Sequence, residues 1–458
     1  MVKNEKIIHD ITKNCCIGCG LCSITKLGKM VLDKYGKYKV NIENLEESVI
    51  LETLKVCPFS PNIQNESELA NEIFNTKITK ESNSIGLYLN IYLGFIDNEK
   101  VRMNSSSGGI ITWLLLQLVE QNIIDSVIHV VPSNEEKVIF KYGICKNESE
   151  IISGASSKYY PVEMSHVLEY IRDNPGNYAI VALPCFTKGI RLLQKSNRVF
   201  KERIKFIITL VCGHLKTTRY SAFLAWQANI NPQNLKLINF RKKIPERKAS
   251  QYGTEFQYYD QNILKVKLVP NSEFKIGTNW GHGMFKYPAC DYCDDVVGEL
   301  GDISVGDAWL PDYIKDYKGN SLIFVRNPII KELVIKGIEK KEIILNEVSN
   351  DLAEKSQVGG IRNKRKDLQF RLWLAKRKKY YFPPKRVSPS RKAVDFRRRI
   401  LIRMRLLISE KSHVLYDEAI RKDDLKVFYN GMSLPLIIYK VIDTGLLKSV
   451  KKFIRNLM

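Results

Sequence analysis

The sequence lacks any apolar run of the ~18 residues that a membrane-spanning helix needs. Its first residues lead into polar sequence instead of the apolar core of a secretory signal. No internal repeat is present either, and 458 residues leave room for two or three domains. We therefore expect a cytoplasmic protein, in whose reducing environment the ten cysteines act as metal ligands and not as disulfides.

Acidic residues are scarce, and the resulting positive charge is unevenly distributed. The chain has 72 Lys and Arg against 49 Asp and Glu, a net charge of +23. Residues 361–458 contain 27 of the basic residues and only 8 of the acidic ones, so the rest of the chain is nearly neutral. A general nucleic-acid-binding protein is more often basic over its whole body. We therefore expect no specific nucleic-acid partner.

The first cysteine motif is a triplet at C-x2-C-x2-C spacing, formed by Cys16, Cys19 and Cys22. A [4Fe-4S] cluster needs four thiolates that converge on one small object, and the glycines between these cysteines permit the necessary tight turns. In a bacterial ferredoxin run the fourth thiol follows four residues later, in a Cys-Pro pair. Here that position is Lys26.

A Cys-Pro pair occurs further along the chain, at Cys57-Pro58. In a two-cluster ferredoxin, the Cys of each such pair binds the other cluster. Counted back from Cys57 at the ferredoxin spacing, three ligand positions of one cluster are Glu47, Ile50 and Thr53, and its fourth is Lys26. That cluster has therefore lost all four of its cysteines. The other cluster retains Cys16, Cys19, Cys22 and Cys57. This predicts a ferredoxin-type module with one [4Fe-4S] cluster. A zinc site, whose paired hooks the triplet matches poorly, and a loop of free thiols are the alternatives.

Two apolar segments, 178–183 and 204–211, predict parallel strands, because a helical stretch at 187–195 joins them. Cys185 follows the first strand and Cys212 follows the second. Both should lie beyond the carboxyl ends of the strands, at the edge where open α/β sheets bind ligands.

A C-x2-C hook, formed by Cys290 and Cys293, lies downstream. Together with Cys185 and Cys212 it predicts a second [4Fe-4S] cluster held by three segments. Taken separately, the hook fits a zinc site or a redox pair, and a cysteine after an apolar strand is often simply buried.

A serine- and glycine-rich turn separates a predicted strand at 89–96 from a predicted helix at 110–120. The turn reads Ser105-Ser106-Ser107-Gly108-Gly109. Helix N-termini expose unpaired N–H groups that favour phosphate, and the glycines would allow close approach of a ligand. Arg102 and Lys158 are basic residues that could assist. An ordinary helix cap is the alternative, since Ser is a favoured capping residue.

Seven motifs occur in a characteristic order. They are Arg102 with Ser-Ser-Ser-Gly-Gly-Ile-Ile-Thr (105–112), Gly-Ala-Ser-Ser-Lys-Tyr (154–159), Leu-Pro-Cys (183–185), Val-Cys-Gly (211–213), Phe-Arg-Lys-Lys (240–243), Cys-x2-Cys (290–293) and Gly-Asp-Ile-Ser-Val-Gly-Asp-Ala-Trp (301–309). Over roughly residues 10–345 the chain thus resembles the coenzyme F-420 hydrogenase/dehydrogenase beta subunit family. Members are iron–sulfur flavoproteins that pass electrons between a reduced deazaflavin or similar donor and iron–sulfur clusters, through FAD.

The resemblance implies roles for particular residues. The cluster ligands near the flavin would be Cys185, Cys212, Cys290 and Cys293. The FAD site would be lined by Ser106, Ser107, Gly108 and Gly109, with Lys158 close by. The N-terminal module keeps one cluster where some relatives carry two, and the basic tail lies outside the shared region.

The resemblance and the composition together suggest partners. The chain is rich in Lys, Ile and Asn, which suggests an AT-rich bacterial genome, and many such bacteria do not make the deazaflavin coenzyme. We therefore expect ferredoxin as the alternative to a reduced deazaflavin as the electron carrier. By analogy with relatives found beside polysaccharide-biosynthesis enzymes, the substrate would be a sugar intermediate.

These predictions divide an α/β (mixed α+β) chain into four parts. Residues 1–65 form a ferredoxin-type [4Fe-4S] module and residues 66–86 form a linker or loose helix. Residues 87–345 form an α/β oxidoreductase domain that binds flavin and a cluster, and residues 346–458 form a basic helical tail.

One segment of the tail, 396–408, predicts a basic amphipathic helix. Its apolar side contains Ile400, Leu401, Met404, Leu407 and Ile408. Such a helix can lie on the anionic inner face of a membrane, which would allow peripheral contact with lipid. Packing of the helix on the protein body is the alternative.

The predicted function is that of a flavin-dependent oxidoreductase. Flavins exchange electron pairs as hydride and release them singly, whereas iron–sulfur clusters carry single electrons. A non-catalytic electron-transfer subunit without flavin and a zinc-stabilised interaction protein are the alternatives. No general acid or base is evident, and His129, His214 and His282 are candidates only.

Overall fold

A computed structural model describes residues 3–75, 78, 80–135 and 138–444. The helices are α1 (Lys3–Asn14), α2 (Leu21–Ile24), α3 (Glu47–Val56), α4 (Glu66–Phe74), α5 (Glu99–Asn104), α6 (Ile110–Glu120), α7 (Glu148–Ser153), α8 (Ser165–Asp173), α9 (Pro184–Ser196), α10 (Arg198–Arg203), α11 (Thr218–Gln227), α12 (Pro328–Glu339), α13 (Asn350–Arg377), α14 (Phe396–Lys422) and α15 (Leu425–Thr444). Short 3-10 helices span Pro232–Asn234, Trp280–His282, Pro288–Tyr292 and Tyr313–Lys315.

The strands form one large sheet and three small ones. They are β1 (Gly28–Leu32), β2 (Tyr38–Ile42), β3 (Lys80–Ser82), β4 (Gly86–Tyr88), β5 (Asn90–Ile96), β6 (Ser126–Pro132), β7 (Phe140–Cys145), β8 (Tyr178–Ala182), β9 (Ile204–Leu210), β10 (Leu235–Lys242), β11 (Gly253–Asp260), β12 (Ile263–Pro270), β13 (Ile303–Asp307), β14 (Ser321–Val325) and β15 (Ile343–Glu347). The large sheet has the order β15-β5-β14-β13-β9-β8-β6-β7. The small sheets are β1-β2, β3-β4 and β10-β11-β12.

The centre of the large sheet is parallel and its outer strands are antiparallel. Strands β6, β8, β9 and β13 run parallel, and β8 pairs with β9 in the register Ile180↔Ile207. The predicted parallel pair around 178–183 and 204–211 is therefore confirmed. With its mixed sheet and surrounding helices, the chain has the predicted α/β fold.

Both faces of the sheet are covered, because successive strand residues point to opposite sides. On β9, Ile207 belongs to one apolar core and Ile208 to another. The second core contains residues of α6 and α12. The first core contains residues of α9, of the N-terminal segment and of the C-terminal helices.

The N-terminal cysteine-rich segment shares this first core with the body. Ile17 and Leu21 are buried with Phe186 and Ile190 of α9. A Cβ at Gly189 would lie only 2.9 Å from Leu21 Cδ1, so the helix and the segment approach closely. The predicted module 1–65 is therefore packed against the predicted domain 87–345.

The described residues of the segment 66–86, for which a linker or a loose helix was expected, pack against the body. It begins with α4, whose N-terminus carries a capping box between Asn65 and Glu68. Leu69 and Phe74 of α4 are buried. Burial of these side chains fixes the segment to the body, so its polar composition did not reveal its structure.

The C-terminal helices also pack on the body. In α14, Leu401 and Ile408 are buried in the first core, Ile402 is also buried, and Ile400 and Leu407 are half-buried. The apolar side that the membrane prediction requires is thus covered by protein, as in the alternative prediction. No described helix is long and apolar enough to cross a membrane.

Candidate functional site

The internal cysteines converge at the carboxyl edge of the parallel strands. Cys185 lies in the first turn of α9, just after β8, and Cys212 lies two residues after β9. Cys290 lies in the 3-10 helix Pro288–Tyr292, and Cys293 caps that helix. All four side chains line one small cavity. The predicted set is therefore brought together by three separate segments.

Two N–H donors point at the sulfurs of this set. The ammonium of Lys364, on α13, donates to Cys293 Sγ at 3.2 Å and to the carbonyl oxygen of Asp295 at 2.8 Å. The backbone N–H of Leu215 donates to Cys290 Sγ at 3.3 Å. Such donors stabilise thiolates, and hydrogen bonds to sulfur are one of the means by which proteins set cluster potentials. Lys364 is 2% exposed, so its charge acts in a desolvated environment.

The thiols of this site are buried, which favours their neutral forms. Burial, together with Cys212 and Cys293, raises the pKa of Cys290 to about 12. Burial also raises the pKa of Cys212 to about 11, although Lys364 opposes the shift. A bound cationic group would stabilise the thiolates that burial disfavours. The four buried thiols and their N–H donors therefore fit an iron–sulfur cluster.

The N-terminal cysteines form a second set. Cys16 and Cys19 lie in the loop between α1 and α2, Cys22 lies in α2, and Cys57 directly follows α3. Burial raises the pKa of Cys22, and the nearby thiols Cys19, Cys16 and Cys57 raise it further. This mutual influence shows that the four predicted thiols lie near one another.

The loop between these thiols depends on glycine. Gly18 has φ +70°, and a Cβ there would lie 2.5 Å from the carbonyl oxygen of Tyr38. Gly20 has φ +86°. An L-residue at Gly18 would be strained and would clash, so the turn that aims the thiols requires glycine.

The positions of the lost cluster have structural roles. Ile50 is buried, and Thr53 Oγ1 lies 2.5 Å from Thr25 Oγ1 in a hydrogen bond. Glu47 accepts a hydrogen bond of 2.7 Å from Asn4. These side chains contribute contacts in place of ligands.

The two cysteine sets adjoin each other. Ile17, next to Cys16, and Phe59, close to Cys57, both line the cavity of the internal set. The hydroxyl of Tyr142 is influenced by Cys185 from one set and by Cys19 from the other. The two groups of thiols are therefore neighbours in the structure.

Neither set has the geometry of a single metal ion. Within the described ranges, no group of three or more His, Cys, Asp or Glu side chains is arranged to hold one ion. Four thiolates around one zinc lie roughly 4 Å apart, given Zn–S bonds of about 2.3 Å. A cubane cluster holds its thiolates further apart, because each binds a different iron.

A large cavity of about 950 Å³ opens beside the internal thiols. Its lining includes Cys212 and Cys290, which also line the small cavity. Of the residues predicted for the flavin, Ser106, Ser107, Gly109 and Lys158 line the large cavity. Gly108 does not line it, and its N–H donates to Ser321 Oγ at 3.0 Å.

The serine turn is tied to neighbouring loops. The N–H of Ser157 donates to Ser106 Oγ at 2.6 Å, and Ser107 Oγ donates to the carbonyl oxygen of Asn320 at 2.6 Å. Gly109, with φ +83°, occupies the N-cap position of α6, and no side chain caps that helix. These serines therefore do not act as an ordinary helix cap. The first N–H groups of α6 have no side-chain partner at the cap.

The two basic candidates differ in their surroundings. Lys158 donates to the carbonyl oxygens of Gly154, Ala155 and Ser156, at the end of α7, and burial lowers its pKa to about 7. Arg102 is buried away from the cavity, where it pairs with Asp316 and stacks on Phe95. Only Lys158 can therefore contact a ligand in the cavity.

The three candidate histidines differ in whether they line the large cavity. His129 and His214 line the cavity, whereas His282 does not. The Nε2 atoms of His129 and His214 are buried without a hydrogen-bond partner among the described residues. Burial and the nearby Lys158 lower the pKa of His129 to about 4.

Sequence reasoning missed several residues of the site. Lys364 and Arg405 lie in the segment that was expected to be a basic tail, yet both line the large cavity. Lys216 and Trp280 line it as well. No local pattern distinguishes Lys364 from the other basic residues of α13. Its burial, which it shares with Arg371, sets it apart, and burial depends on the fold.

The fold places the chain among α/β proteins with a mixed sheet. Comparison with protein families gives two matches. The N-terminal part of the coenzyme F420 hydrogenase/dehydrogenase beta subunit family matches residues 91–169, and its C-terminal part matches residues 176–351. The chain belongs to this family, as the sequence motifs predicted. The family is one of oxidoreductase subunits.

Two curated relatives are similar over the same region. The coenzyme F420 hydrogenase subunit beta of Methanothermobacter thermautotrophicus is 24% identical over 271 residues, which cover 56% of this chain and 84% of that protein. An uncharacterised protein of Methanocaldococcus jannaschii is 23% identical over 257 residues, which cover 54% of this chain and 84% of that protein.

One solved structure is also similar. It is the xenon-derivatised F420-reducing [NiFe] hydrogenase complex of Methanosarcina barkeri, with a TM-score of 0.48 and 18% identity. The match covers 65% of this chain and 96% of the chain compared.

Proposed function

We propose that the protein is an iron–sulfur flavoprotein oxidoreductase that passes electrons between a reduced carrier and a substrate. In this proposal Cys16, Cys19, Cys22 and Cys57 hold one [4Fe-4S] cluster. A second cluster is held by Cys185, Cys212, Cys290 and Cys293. FAD occupies the large cavity beside the second set.

The observation that carries the proposal is the contact between the large cavity and the internal thiols. Cys212 and Cys290 line both the small cavity and the large one. A ligand in the large cavity would therefore lie directly beside the second cluster. FAD supplies the conversion between two-electron and one-electron transfer.

The residues of this chain position the two kinds of group. Ser106, Ser107 and the uncapped N-terminus of α6 face the cavity, where unpaired N–H groups favour the phosphates of a dinucleotide. Lys158 adds an ammonium to the same wall. Lys364 and the N–H of Leu215 stabilise the thiolates of the second set.

The adjoining sites support a role for the N-terminal set as the entry point for electrons. Ile17 and Phe59, which neighbour the N-terminal thiols in sequence, line the small cavity of the second set, so single electrons would pass between adjoining sites. The carrier would be a reduced deazaflavin or a ferredoxin, and the substrate a sugar intermediate of polysaccharide biosynthesis. Because both thiol sets require a reducing compartment, we place this activity in the cytoplasm.

Anaerobic purification with iron, sulfide and flavin quantified per chain tests the proposal. Two cubane clusters and one flavin predict about eight iron, about eight sulfide and about one FAD. Cys185→Ser should lower iron by about four and leave the N-terminal set loaded. The buried Cys145, which belongs to neither set, provides the matched control as Cys145→Ser.

Each other result has a distinct meaning. About eight iron with no flavin after reconstitution with FAD would favour a non-catalytic electron-transfer subunit. About four iron with no effect of Cys185→Ser would contradict the second cluster. Zinc in place of iron would favour the interaction-protein alternative.

A further inference from the structure

One wall of the large cavity carries cations that the flavin proposal does not use. We call Lys216, Arg405, His214 and Trp280 the cationic corner; all four line the cavity. The ring centroids of His214 and Trp280 are 4.4 Å apart, and Lys216 Nζ lies 4.8 Å from the centroid of Trp280. These residues come from the segment after β9, from the 3-10 helix Trp280–His282 and from α14.

Lys216 is buried without a carboxylate partner. It is 1% exposed, and its ammonium donates to the carbonyl oxygen of Met284 at 2.6 Å. An ammonium has three donor protons, so two remain for other acceptors. The rings of Tyr220 and Trp280 lie 4.5 and 4.8 Å from Nζ, and the described residues place no carboxylate within ion-pair distance. A buried cation of this kind is costly unless an anion joins it.

Two further nitrogen atoms of the corner are buried without partners. Arg405 uses one guanidinium nitrogen for the hydroxyl of Tyr439 at 3.1 Å, whereas its Nε has no acceptor among the described residues. The nearest carboxylate is that of Asp367, at 3.8 Å. His214 Nε2 has no partner within the described ranges either. Unsatisfied buried polar atoms in a cavity point to a missing ligand.

The charge of the whole cavity also favours an anionic ligand. Among the described residues, nine cationic side chains line it against two carboxylates. Both carboxylates already have partners, since Asp307 pairs with Arg241 at 2.7 Å and Asp291 with Lys286 at 2.5 Å. Within the corner, Lys216 therefore has no carboxylate partner among the described residues, and Arg405 shares the carboxylate of Asp367 with Arg398.

We propose that the cationic corner binds the phosphate group of a small organic substrate. This inference rests on the proposed function only in that FAD occupies another part of the same cavity. Phosphate suits the corner, because a dianion can accept from Lys216, Arg405 Nε and His214 together, and charged hydrogen bonds of this type are strong. The bound substrate would lie next to Cys212 and hence next to the redox centre.

The corner extends beyond the part of the chain that the family model matches. The family match ends at residue 351, and Arg405 lies beyond it on α14. The C-terminal helices thus complete a binding site and do not merely cover the body. They would select a phosphorylated substrate that the shared region alone does not recognise.

Calorimetric titration of the FAD-loaded protein with inorganic phosphate tests the proposal. The variants are Lys216→Met and Arg405→Gln. Because Lys216 is fully buried, its replacement could disturb folding, and Arg405→Gln then still tests the site. Lys275→Met is the matched lysine control, since Lys275 also lies over an aromatic ring, at 4.2 Å from Tyr429, but outside the cavity. Arg403→Gln is the matched control on α14.

We expect both corner variants to weaken phosphate binding at least tenfold while the two controls bind like the wild type. Flavin content should be equal in all five proteins. Absence of phosphate binding by the wild type, equal binding by all variants, or acetate binding as tight as phosphate would overturn the assignment. Loss of FAD in the corner variants would overturn it too, because the cations would then serve the flavin. If the wild type retains no FAD, the proposed function fails, and the same titration on the flavin-free protein still decides the phosphate site.

Discussion

Replacement of Lys364 by methionine should lower the reduction potential of the internal cluster. The ammonium of Lys364 is buried and donates to Cys293 Sγ at 3.2 Å. Reduction adds negative charge to a cluster, so a nearby fixed positive charge favours the reduced state. Methionine has a similar length and no charge, and it removes that stabilisation with little change in volume.

The size of the effect follows from Coulomb's law. Two unit charges about 6 Å apart, at an effective dielectric constant of about 20, interact by roughly 3 kcal/mol. For a one-electron couple, 59 mV corresponds to about 1.4 kcal/mol. The potential should therefore fall by roughly 100 mV.

Redox titration followed by electron paramagnetic resonance measures this shift. Lys366→Met removes an exposed charge from the same helix and is the matched control, for which solvent screening predicts a shift of only about 10 mV. Lys364→Arg keeps the charge and should stay near the wild-type potential. A Lys364→Met protein with full iron content and a potential like that of the Lys366→Met protein would refute the reasoning.

Three further predictions concern the N-terminal set and the ion pairs around it. Cys57→Ser should lower iron by about four per chain, whereas Cys15→Ser should not, because the Cys15 thiol faces the carbonyl oxygen of Tyr381. Gly18→Ala should cause a similar loss of iron, since its Cβ would clash with Tyr38. Asp294→Asn should lower the free energy of unfolding by roughly 3–5 kcal/mol in a denaturant titration, because it breaks the buried ion pairs of Asp294 with Lys385 and Arg386. Burial opposes ionisation of Asp294, but Lys385 and Arg386 outweigh it and hold its pKa well below the usual value. The stability that this ion pair provides is thus present above about pH 3.9 and is lost as the pH falls further. The Asn variant should lose less stability than the wild type over that range, and an equal loss would contradict this assignment.

The sequence alone determined those features that depend on local pattern. Apolar residues in short runs predicted β8 and β9, and the helix between them required the parallel pairing that the structure has. The predicted helix at 110–120 agrees with α6 (Ile110–Glu120). Gly109 marks the start of this helix, and the apolar residues that follow it fit the helical period. The cysteine spacings predicted two groups of thiols, since short loops constrain where their sulfurs can point.

Only the tertiary structure decided which side chains meet from distant segments. Lys364 is placed beside Cys293 although 71 residues separate them, and Arg405 reaches a cavity that residues of the sheet and of other helices also line. The apolar side of α14 was recognised, but a helical period shows only that a face is apolar and not whether protein or lipid covers it. Arg102 was expected near the phosphate loop and instead pairs with Asp316, because the nearest available carboxylate lies on a remote loop. Long-range packing decides such contacts, and no local pattern encodes it.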